Sequence, residues 1–524
     1  MHSWAGPRSW PRHVVVALTV ALFLAPGLFV VWRALRLGAS IGDTLGELRG
    51  PAWRSAQLAV LVSVTAALLG TLLAWLITCT DLPGRRIWSV VLVFPLALPS
   101  FVGTTGVLAG FTPGGVLASL WELFGATPPR RIRGLLPAWL LLSAFSYPFV
   151  LLPVAARLRT LRRAFDDSAR MLGASSFEIF VRITLPQVRS AITGGTLIVA
   201  LYMLSEFGAV QLLGFDTLTR VIYATRQVDR PTSFMAAAIL FVSSIAVVTL
   251  VRSTQGQVAT ETSASSRAGE PVRLGRLTPV ALIPCVVAVA VGVVAPLWSL
   301  ITLAQRGVSD GRVALDGLTD PLINTGSMAV TSALITLAVV LPIAISGVRH
   351  RDITGRIGAI AVVAGFALPA IVIALAIAVL TLNTPLLDRL YQTLPLLVIA
   401  YVVHFGSQAL GCVEQGVRSV STSLLDSATL LEPSRWRRML HIELPLMRHG
   451  LFAGGGLVML AVIKELPATL LLAPIGFRTL STEVWASFEE GFLADAAVAS
   501  LALLLVSGAL TWLLVLRESP SRGR

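Results

Sequence analysis

The sequence has few charged side chains and a single lysine. Charged residues make up 13 % of its 524 residues, whereas a soluble domain has roughly 25 %. The one lysine, Lys464, lies between Ile463 and Glu465 in an apolar run. A phosphate-binding P-loop needs a Gly-Lys-Ser/Thr sequence after a glycine-rich stretch. The sequence lacks that motif, so this chain is not predicted to be an enzyme that hydrolyses ATP.

Cysteines are equally scarce. Cys79, Cys285 and Cys412 lie in or beside apolar runs without the spacing of metal ligands, and we interpret them as small core residues. No catalytic residue, metal site or bound cofactor is assigned to the chain.

Long apolar runs are abundant. Hydrophobic residues make up 55 % of the sequence, and the mean hydropathy is +0.81. About 20 apolar residues cross a hydrocarbon core of about 30 Å as a helix, so we predict an all-α membrane protein. The twelve predicted spans are 14–32, 56–79, 87–109, 135–156, 191–213, 232–251, 279–304, 326–347, 357–381, 394–414, 451–472 and 494–516.

Arginines predict the orientation in the membrane. The first apolar run is too long for the core of a signal peptide, so we interpret it as a retained helix. An even number of spans places both termini on one side. With cytoplasmic termini, 26 of the 40 arginines fall in cytoplasmic segments, as the positive-inside rule requires; the largest exception is the cluster Arg130, Arg131 and Arg133. The net charge of +14 therefore indicates topology and contact with anionic lipid in the inner membrane, not nucleic-acid binding.

The two parts of the chain repeat each other on either side of a polar, Ser/Thr/Gly-rich stretch at 253–277, which has the composition of a linker. We therefore predict two parallel six-helix domains, 1–252 and 278–524, with a substrate path between them. Three pairs of stretches carry the repeat: Ala97-Leu98-Pro99-Ser100 and Ala367-Leu368-Pro369-Ala370, Ser205-Glu206-Phe207-Gly208-Ala209 and Lys464-Glu465-Leu466-Pro467-Ala468, and Gly214-Phe215-Asp216-Thr217-Leu218 and Gly476-Phe477-Arg478-Thr479-Leu480.

A charged loop between the fourth and fifth spans of each half is also repeated, at an offset of 259 residues. We expect a short helix, a turn and a second helix. Lipid headgroups would suit one such amphipathic segment, but two copies with one spacing favour a folded partner. The first copy contains Asp167, Ser168, Ala169, Gly173, Ile183, Leu185 and Pro186, and the second contains Asp426, Ser427, Ala428, Glu432, Ile442, Leu444 and Pro445.

The pattern resembles the EAA loop of ABC-importer permeases, Glu-Ala-Ala, three residues, Gly, nine residues and Ile-x-Leu-Pro. The resemblance covers nearly the whole chain as two fused permease halves and implies the type I ABC-importer fold. It is strongest for the ferric-iron importer permeases, which share the fused halves and the run 464–471; thiamine permeases share the architecture.

The resemblance also implies partners. Each loop would form a coupling helix that docks on an ABC ATPase subunit, of which two copies are expected, with ATP and Mg²⁺ bound there. An extracytoplasmic binding protein would deliver the solute, which moves by alternating access.

The sequence departs from the family pattern in three ways. Aspartate replaces the usual glutamate, and serine replaces the first alanine, in both loops; both changes are mild. Glu432 replaces the motif glycine in the second loop. Because glutamate adopts a left-handed turn less readily than glycine, we expect the second loop to turn differently or to bind its ATPase less symmetrically.

Charges within apolar spans form the second candidate site. Glu206 and Glu465 occupy equivalent positions, Lys464 adjoins the second, and Gly208 and Pro467 are expected to interrupt their helices. These groups either lock helices together through an ion pair or hydrogen bonds, or act directly in a gate or path. Carboxylates suit hard cations, which fits ferric iron.

Several functions stay open on the sequence. An importer permease is the main hypothesis, with iron ahead of thiamine, polyamine or an oxyanion as the solute. An ion-coupled secondary carrier gives no reason for the repeated loop, and a membrane-embedded transferase would need a catalytic cluster that the sequence lacks. The outer arginines either are solvated or meet acidic patches on a binding protein; they are Arg220, Arg478 and the cluster Arg130, Arg131 and Arg133.

Overall fold

A computed structural model describes most of the chain, and it is helical throughout the described part. An isolated β-bridge between Thr80 and Val272 is the one β contact found there. The described residues are 10–36, 41–129, 131–161, 171, 173, 175–227, 230–255, 272–311, 313, 315–350, 353–366, 368–432 and 434–518.

In the described part of the chain, twelve α-helices precede residue 256, and 3₁₀ and π segments interrupt the series at Phe94–Ala97 and Phe180–Thr184. The α-helices are α1 (Trp10–Leu35), α2 (Ile41–Cys79), α3 (Arg85–Val91), α4 (Ser100–Gly110), α5 (Val116–Leu123), α6 (Leu135–Ser146), α7 (Pro148–Thr160), α8 (Ser176–Ile179), α9 (Leu185–Ser205), α10 (Gly208–Leu212), α11 (Leu218–Thr225) and α12 (Arg230–Gln255).

Thirteen α-helices follow residue 271 among the described residues. They are α13 (Thr278–Val289), α14 (Ala295–Ser309), α15 (Thr319–Ile345), α16 (Ile353–Phe366), α17 (Ala370–Leu382), α18 (Leu394–Arg418), α19 (Thr422–Leu431), α20 (Arg435–Arg438), α21 (Leu444–Leu446), α22 (Arg448–Ile463), α23 (Pro467–Leu472), α24 (Leu480–Glu489) and α25 (Leu493–Glu518). Further 3₁₀ and π segments are Gly275–Leu277, Ala290–Val294, Leu315–Leu318, Ser346–His350, Asp388–Leu390 and Met439–Glu443.

Nine helices in the described part are long and apolar enough to cross a membrane, or up to twelve if each of three sharply bent pairs counts as one span. Four predicted spans are not continuous helices. The spans predicted at 87–109 and 357–381 are bent by 94° and 104°. In the spans predicted at 191–213 and 451–472, the long helices end at Ser205 and Ile463, and a short second helix follows each of them.

Proline explains the first two breaks. Pro99 and Pro369 occupy equivalent positions in the repeat, and their backbones match, with φ/ψ of −58°/139° and −55°/140°. Leu98, before Pro99, is extended at φ −90° and ψ 115°, as the ring of a following proline requires. Each proline therefore ends one helical segment and directly precedes the next.

Each half places its first span against the other half. The ring of Phe23 in α1 is fully buried, and a Cβ built on Gly406 of α18 would lie 2.5 Å from it. Conversely, a Cβ on Gly106 of α4 would lie 2.7 Å from the carbonyl oxygen of Pro296 in α14. Such close approaches leave no room for a side chain, so the two halves are interlocked through α1 and α14.

The structure describes both ends of the predicted linker. Residues 253–255 belong to α12, while 256–271 lie outside the described residues. At the other end, the amide of Val272 donates to the carbonyl of Cys79 at 2.8 Å, and the amide of Leu274 donates to Asp81 Oδ1 at 2.8 Å. The second half therefore starts against the end of α2.

Candidate functional site

The surface of the second loop around α19 carries both polar and apolar side chains. The hydroxyl of Ser421 accepts a hydrogen bond from the amide of Leu424 at 3.4 Å and caps the helix. Asp426 and Ser427 are exposed, whereas Ala428 is buried against the rest of the chain. Leu424, Leu430, Leu431 and Trp436 are also exposed at this end of the bundle. A fixed helix with acidic and apolar side chains outward is suited to contact a folded partner.

The first loop is described in part. Asp167, Ser168 and Ala169 lie outside the described residues. Gly173 follows them with a φ of +84°, and α8 then begins at a reciprocal cap. The amide and hydroxyl of Ser175 both donate to Glu178 Oε2 at 2.9 Å, and the amide of Glu178 donates back to the hydroxyl of Ser175 at 3.3 Å. These two donors hold the pKa of the Glu178 carboxyl below its usual value, so the cap keeps its charge at neutral pH.

The two loops turn differently at the motif glycine, as expected. Gly173 is left-handed at φ +84°, whereas Glu432 is extended at φ −134° and ψ 98°. The Glu432 side chain instead accepts a hydrogen bond from the amide of Ser434 at 3.1 Å. Glutamate therefore avoids the conformation that glycine adopts and supplies a local cap in its place.

The Ile-x-Leu-Pro ends of the two loops share a structural detail that the sequence analysis missed. Each begins within a five-residue π-helical segment, Phe180–Thr184 in the first half and Met439–Glu443 in the second. Pro186 and Pro445 lie at the starts of the helices that follow. Because proline lacks an amide proton and its ring displaces the carbonyl four residues earlier, a π segment accommodates it. The proline in each run was the sequence feature from which the π segment could have been predicted.

Glu206 and Glu465 each cap a short buried helix. The Oε1 atom of Glu206 accepts from the amide of Ala209 at 2.9 Å, and that of Glu465 accepts from the amide of Ala468 at the same distance. Both glutamates are buried. Gly208 is required by close approach, since a Cβ there would lie 2.6 Å from Cβ of Phe101. The predicted interruptions at Gly208 and Pro467 are confirmed.

The broken third span of the first half contacts both Glu206 and Lys464. The hydroxyl of Ser100 donates to Glu206 Oε2 at 2.8 Å. Lys464 Nζ donates to the carbonyl oxygen of Leu96 at 3.2 Å, which joins the second half to the first. Among the described residues, no carboxylate forms an ion pair with Lys464. The lysine therefore lies between the halves. This arrangement fits the interpretation that hydrogen bonds of these groups lock helices together.

The outer arginines are paired within the chain. Arg220 contacts Asp216 and donates through Nε to Gln211 at 3.0 Å. Arg478 lies 3.2 Å from Glu483. Arg131 and Arg133 are described but Arg130 is not. Internal ion pairs of this kind stabilise exposed loops weakly. They do not indicate contact with a binding protein.

Metal-ligating side chains do not converge in the described part of the chain: no group of three or more His, Cys, Asp or Glu residues has the geometry to hold a metal ion. The chemistry available at the buried site is therefore that of two carboxylates and one ammonium group beside broken helices. Non-helical backbone at membrane depth is tolerated where it is buried in protein or lines a cavity.

Two segments of the chain, 66–254 and 338–517, match the model of the family described as binding-protein-dependent transport system inner membrane component. The chain belongs to this family. Each matched segment contains one copy of the repeated loop, so the permease is duplicated. It is a multi-pass membrane component of a transport system, and its family works with an ATPase and a substrate-binding protein.

Three curated relatives are informative about the permease. It is 26 % identical over 529 residues to the Fe(3+)-transport system permease protein FbpB 2 of Haemophilus influenzae, covering 97 % of this chain and 98 % of that protein. It is 25 % identical to the Sulfate transport system permease protein CysW of Escherichia coli, over 47 % of this chain and 88 % of that protein. It is 31 % identical to the Molybdenum transport system permease protein ModB of Escherichia coli, over 31 % and 72 %.

Proposed function

We propose that the chain is the membrane-embedded permease subunit of an ATP-driven importer, with twelve spans in two parallel halves and both termini in the cytoplasm. The observation that carries the proposal is the duplication: two matched family segments, each with one charged loop at the same place. The three bent helix pairs are counted as spans, because each bend lies at a proline or a short break.

The two loops are proposed as the docking sites for two ATPase subunits. In the second loop the exposed Asp426 and Ser427 and the apolar side chains around them support this role. ATP and Mg²⁺ are expected on the ATPase alone. Closure of the two ATPase subunits would move both loops and rock the halves between inward-open and outward-open states.

Ferric iron is the proposed solute. A relative of the same duplicated length transports Fe(3+) by name, and buried carboxylates are hard oxygen ligands near the junction of the halves. An oxyanion is the second candidate, because the shorter relatives are named for sulfate and molybdenum transport. Lys464, which crosses between the halves, would suit an anion.

Uptake by the reconstituted system tests both the class and the solute. Proteoliposomes would contain the permease, its ATPase and its binding protein. We expect ATP-dependent accumulation of ⁵⁵Fe(III), unaffected by a hundredfold excess of sulfate or molybdate. Uptake of labelled sulfate or molybdate without iron would establish the oxyanion alternative. Uptake that follows an ion gradient and ignores ATP would contradict the importer assignment.

A further inference from the structure

Three charged side chains form a buried cluster where the second loop meets α15. Oε1 of Glu443 lies 3.3 Å from Nε of Arg438, and Oε2 of Glu443 contacts Nη1 of Arg349. The Glu443 side chain is 6 % exposed and each arginine is 17 % exposed. We call Arg349, Arg438 and Glu443 the charge triad.

The charge triad continues toward α19. Nη1 of Arg438 donates to the carbonyl oxygen of Glu432 at 3.5 Å, and Glu432 is the residue that directly follows α19. Arg438 therefore connects the end of α19 to the Glu443 carboxylate.

On its other side the charge triad reaches two elements at once. Arg349 belongs to the π segment that continues α15. Its Nη2 atom also lies 3.9 Å from Sδ of Met447, at the 76° bend between α21 and α22. The triad thus connects the loop to one span and to the bend of another.

The equivalent positions of the first half carry no such cluster. The 259-residue offset of the loops places Ile179 and Thr184 at the positions of Arg438 and Glu443, and the 270-residue offset of Pro99 and Pro369 places Cys79 opposite Arg349. All three are uncharged. The two halves therefore differ at these positions, and the charged residues lie in the half whose loop has Glu432 in place of the motif glycine.

Stability alone is a poor reason for this arrangement. A buried ion pair gains little over packed apolar side chains of similar volume, although breaking one partner leaves an unpaired buried charge. What charges and hydrogen bonds add is a fixed geometry among separate elements, which is the property needed to carry displacement through a contiguous network.

We propose that the charge triad transmits movement of α19 to α15 and α22, so that the second half is coupled to its ATPase through a fixed charged contact that the equivalent positions of the first half lack. Arg349, Arg438 and Glu443 are then positioning residues for transport. The inference rests on the proposed docking of an ATPase at α19.

The test is a distance across the cytoplasmic face, which requires no solute. The exposed Arg85 and Arg356 would be changed to spin-labelled cysteines in a full chain whose native cysteines are replaced by serine. Position 356 reports on α15, because a Cβ on the adjacent Gly355 would lie 2.5 Å from the amide nitrogen of Gly347. Pulsed electron resonance of the complex with its ATPase would give the distance without nucleotide and with ATP and vanadate.

Three variants decide the outcome. E443Q removes the charge, and R349M/R438M/E443L replaces the triad with apolar side chains that keep the volume. E414Q is the matched control, since Glu414 pairs with the exposed Arg418 at 3.4 Å near the same face. We expect the nucleotide-dependent shift in wild type and E414Q, and its loss in both triad variants while the ATPase still co-purifies. Solute uptake per ATP hydrolysed should fall about tenfold in the triad variants.

Two results would overturn the inference. A full shift in E443Q would show that the charge is not needed. Recovery of both shift and uptake in the apolar triple variant would show that the triad only anchors the loop; this variant also decides the question if E443Q fails to fold. Absence of bound ATPase from the wild-type chain would instead overturn the proposed function, and the inference with it.

Discussion

At the scale of single residues, the buried glutamates serve the backbone first. Each carboxylate accepts the amide three residues later and so caps a helix that begins inside the bundle. The first half adds a hydroxyl donor from Ser100, whereas the equivalent residue in the second half is Ala370, which has none. The two acids are therefore equivalent in position but not in surroundings.

The Ser100 contact gives a direct prediction for stability. S100A removes a donor from a buried carboxylate, which costs about 1–3 kcal/mol when the acceptor stays buried. We expect a lower unfolding temperature for the purified permease in detergent. S327A is the control, since the exposed Ser327 donates only to its own helix at Asn324. Equal unfolding temperatures for S100A and wild type would show that water or a movement of the chain replaces the hydroxyl.

At the scale of elements, the two loops end alike and turn differently. Both finish in a five-residue π segment before a proline, yet one turns through a left-handed glycine and the other through an extended glutamate. The shared proline fixes the common part. The residue at the motif position, Gly173 or Glu432, fixes the difference.

The left-handed turn predicts a specific sensitivity of the first loop. G173A forces a side chain into a conformation that costs about 1–2 kcal/mol, although a Cβ would meet no neighbour there. We expect ATPase binding to weaken about fivefold or more, measured by titration of the permease in nanodiscs. G411A is the control, because Gly411 lies within α18 with open space around it. Unchanged ATPase binding by G173A would show that the turn at Gly173 is not part of the docking surface.

The sequence predicted these elements well where one local rule determines them. Apolar length located nine long helices in the described part of the chain, and the departure from the motif predicted the different turn at Glu432. The bends at Pro99 and Pro369 were missed, because hydropathy does not register a buried break. The interruptions after Ser205 and Ile463 were predicted, because Gly208 and Pro467 signal them in the sequence. The contact of Lys464 with Leu96 joins residues 368 positions apart, and no sequence period encodes such a pair.

At the scale of the whole molecule, the halves are held together by exchange of their first spans. Phe23 of α1 lies against α18, and Pro296 of α14 lies against α4. Arg306, at the end of α14, also donates to the carbonyl of Gly114 at 2.7 Å. These contacts join the halves independently of residues 256–271.

The exchange predicts that the halves associate without a continuous chain. Cleavage at an engineered protease site within 256–271 should leave the two polypeptides co-purifying in mild detergent, because α1 and α14 remain against the opposite half. G106L should separate the cleaved halves, since the built Cβ already lies 2.7 Å from a backbone oxygen and overpacking costs about 1–3 kcal/mol or more. G326L, at a helical glycine with open space, is the matched control and should remain associated. Separation of the wild-type halves on cleavage would show that the covalent connection, and not the exchanged spans, holds the permease together.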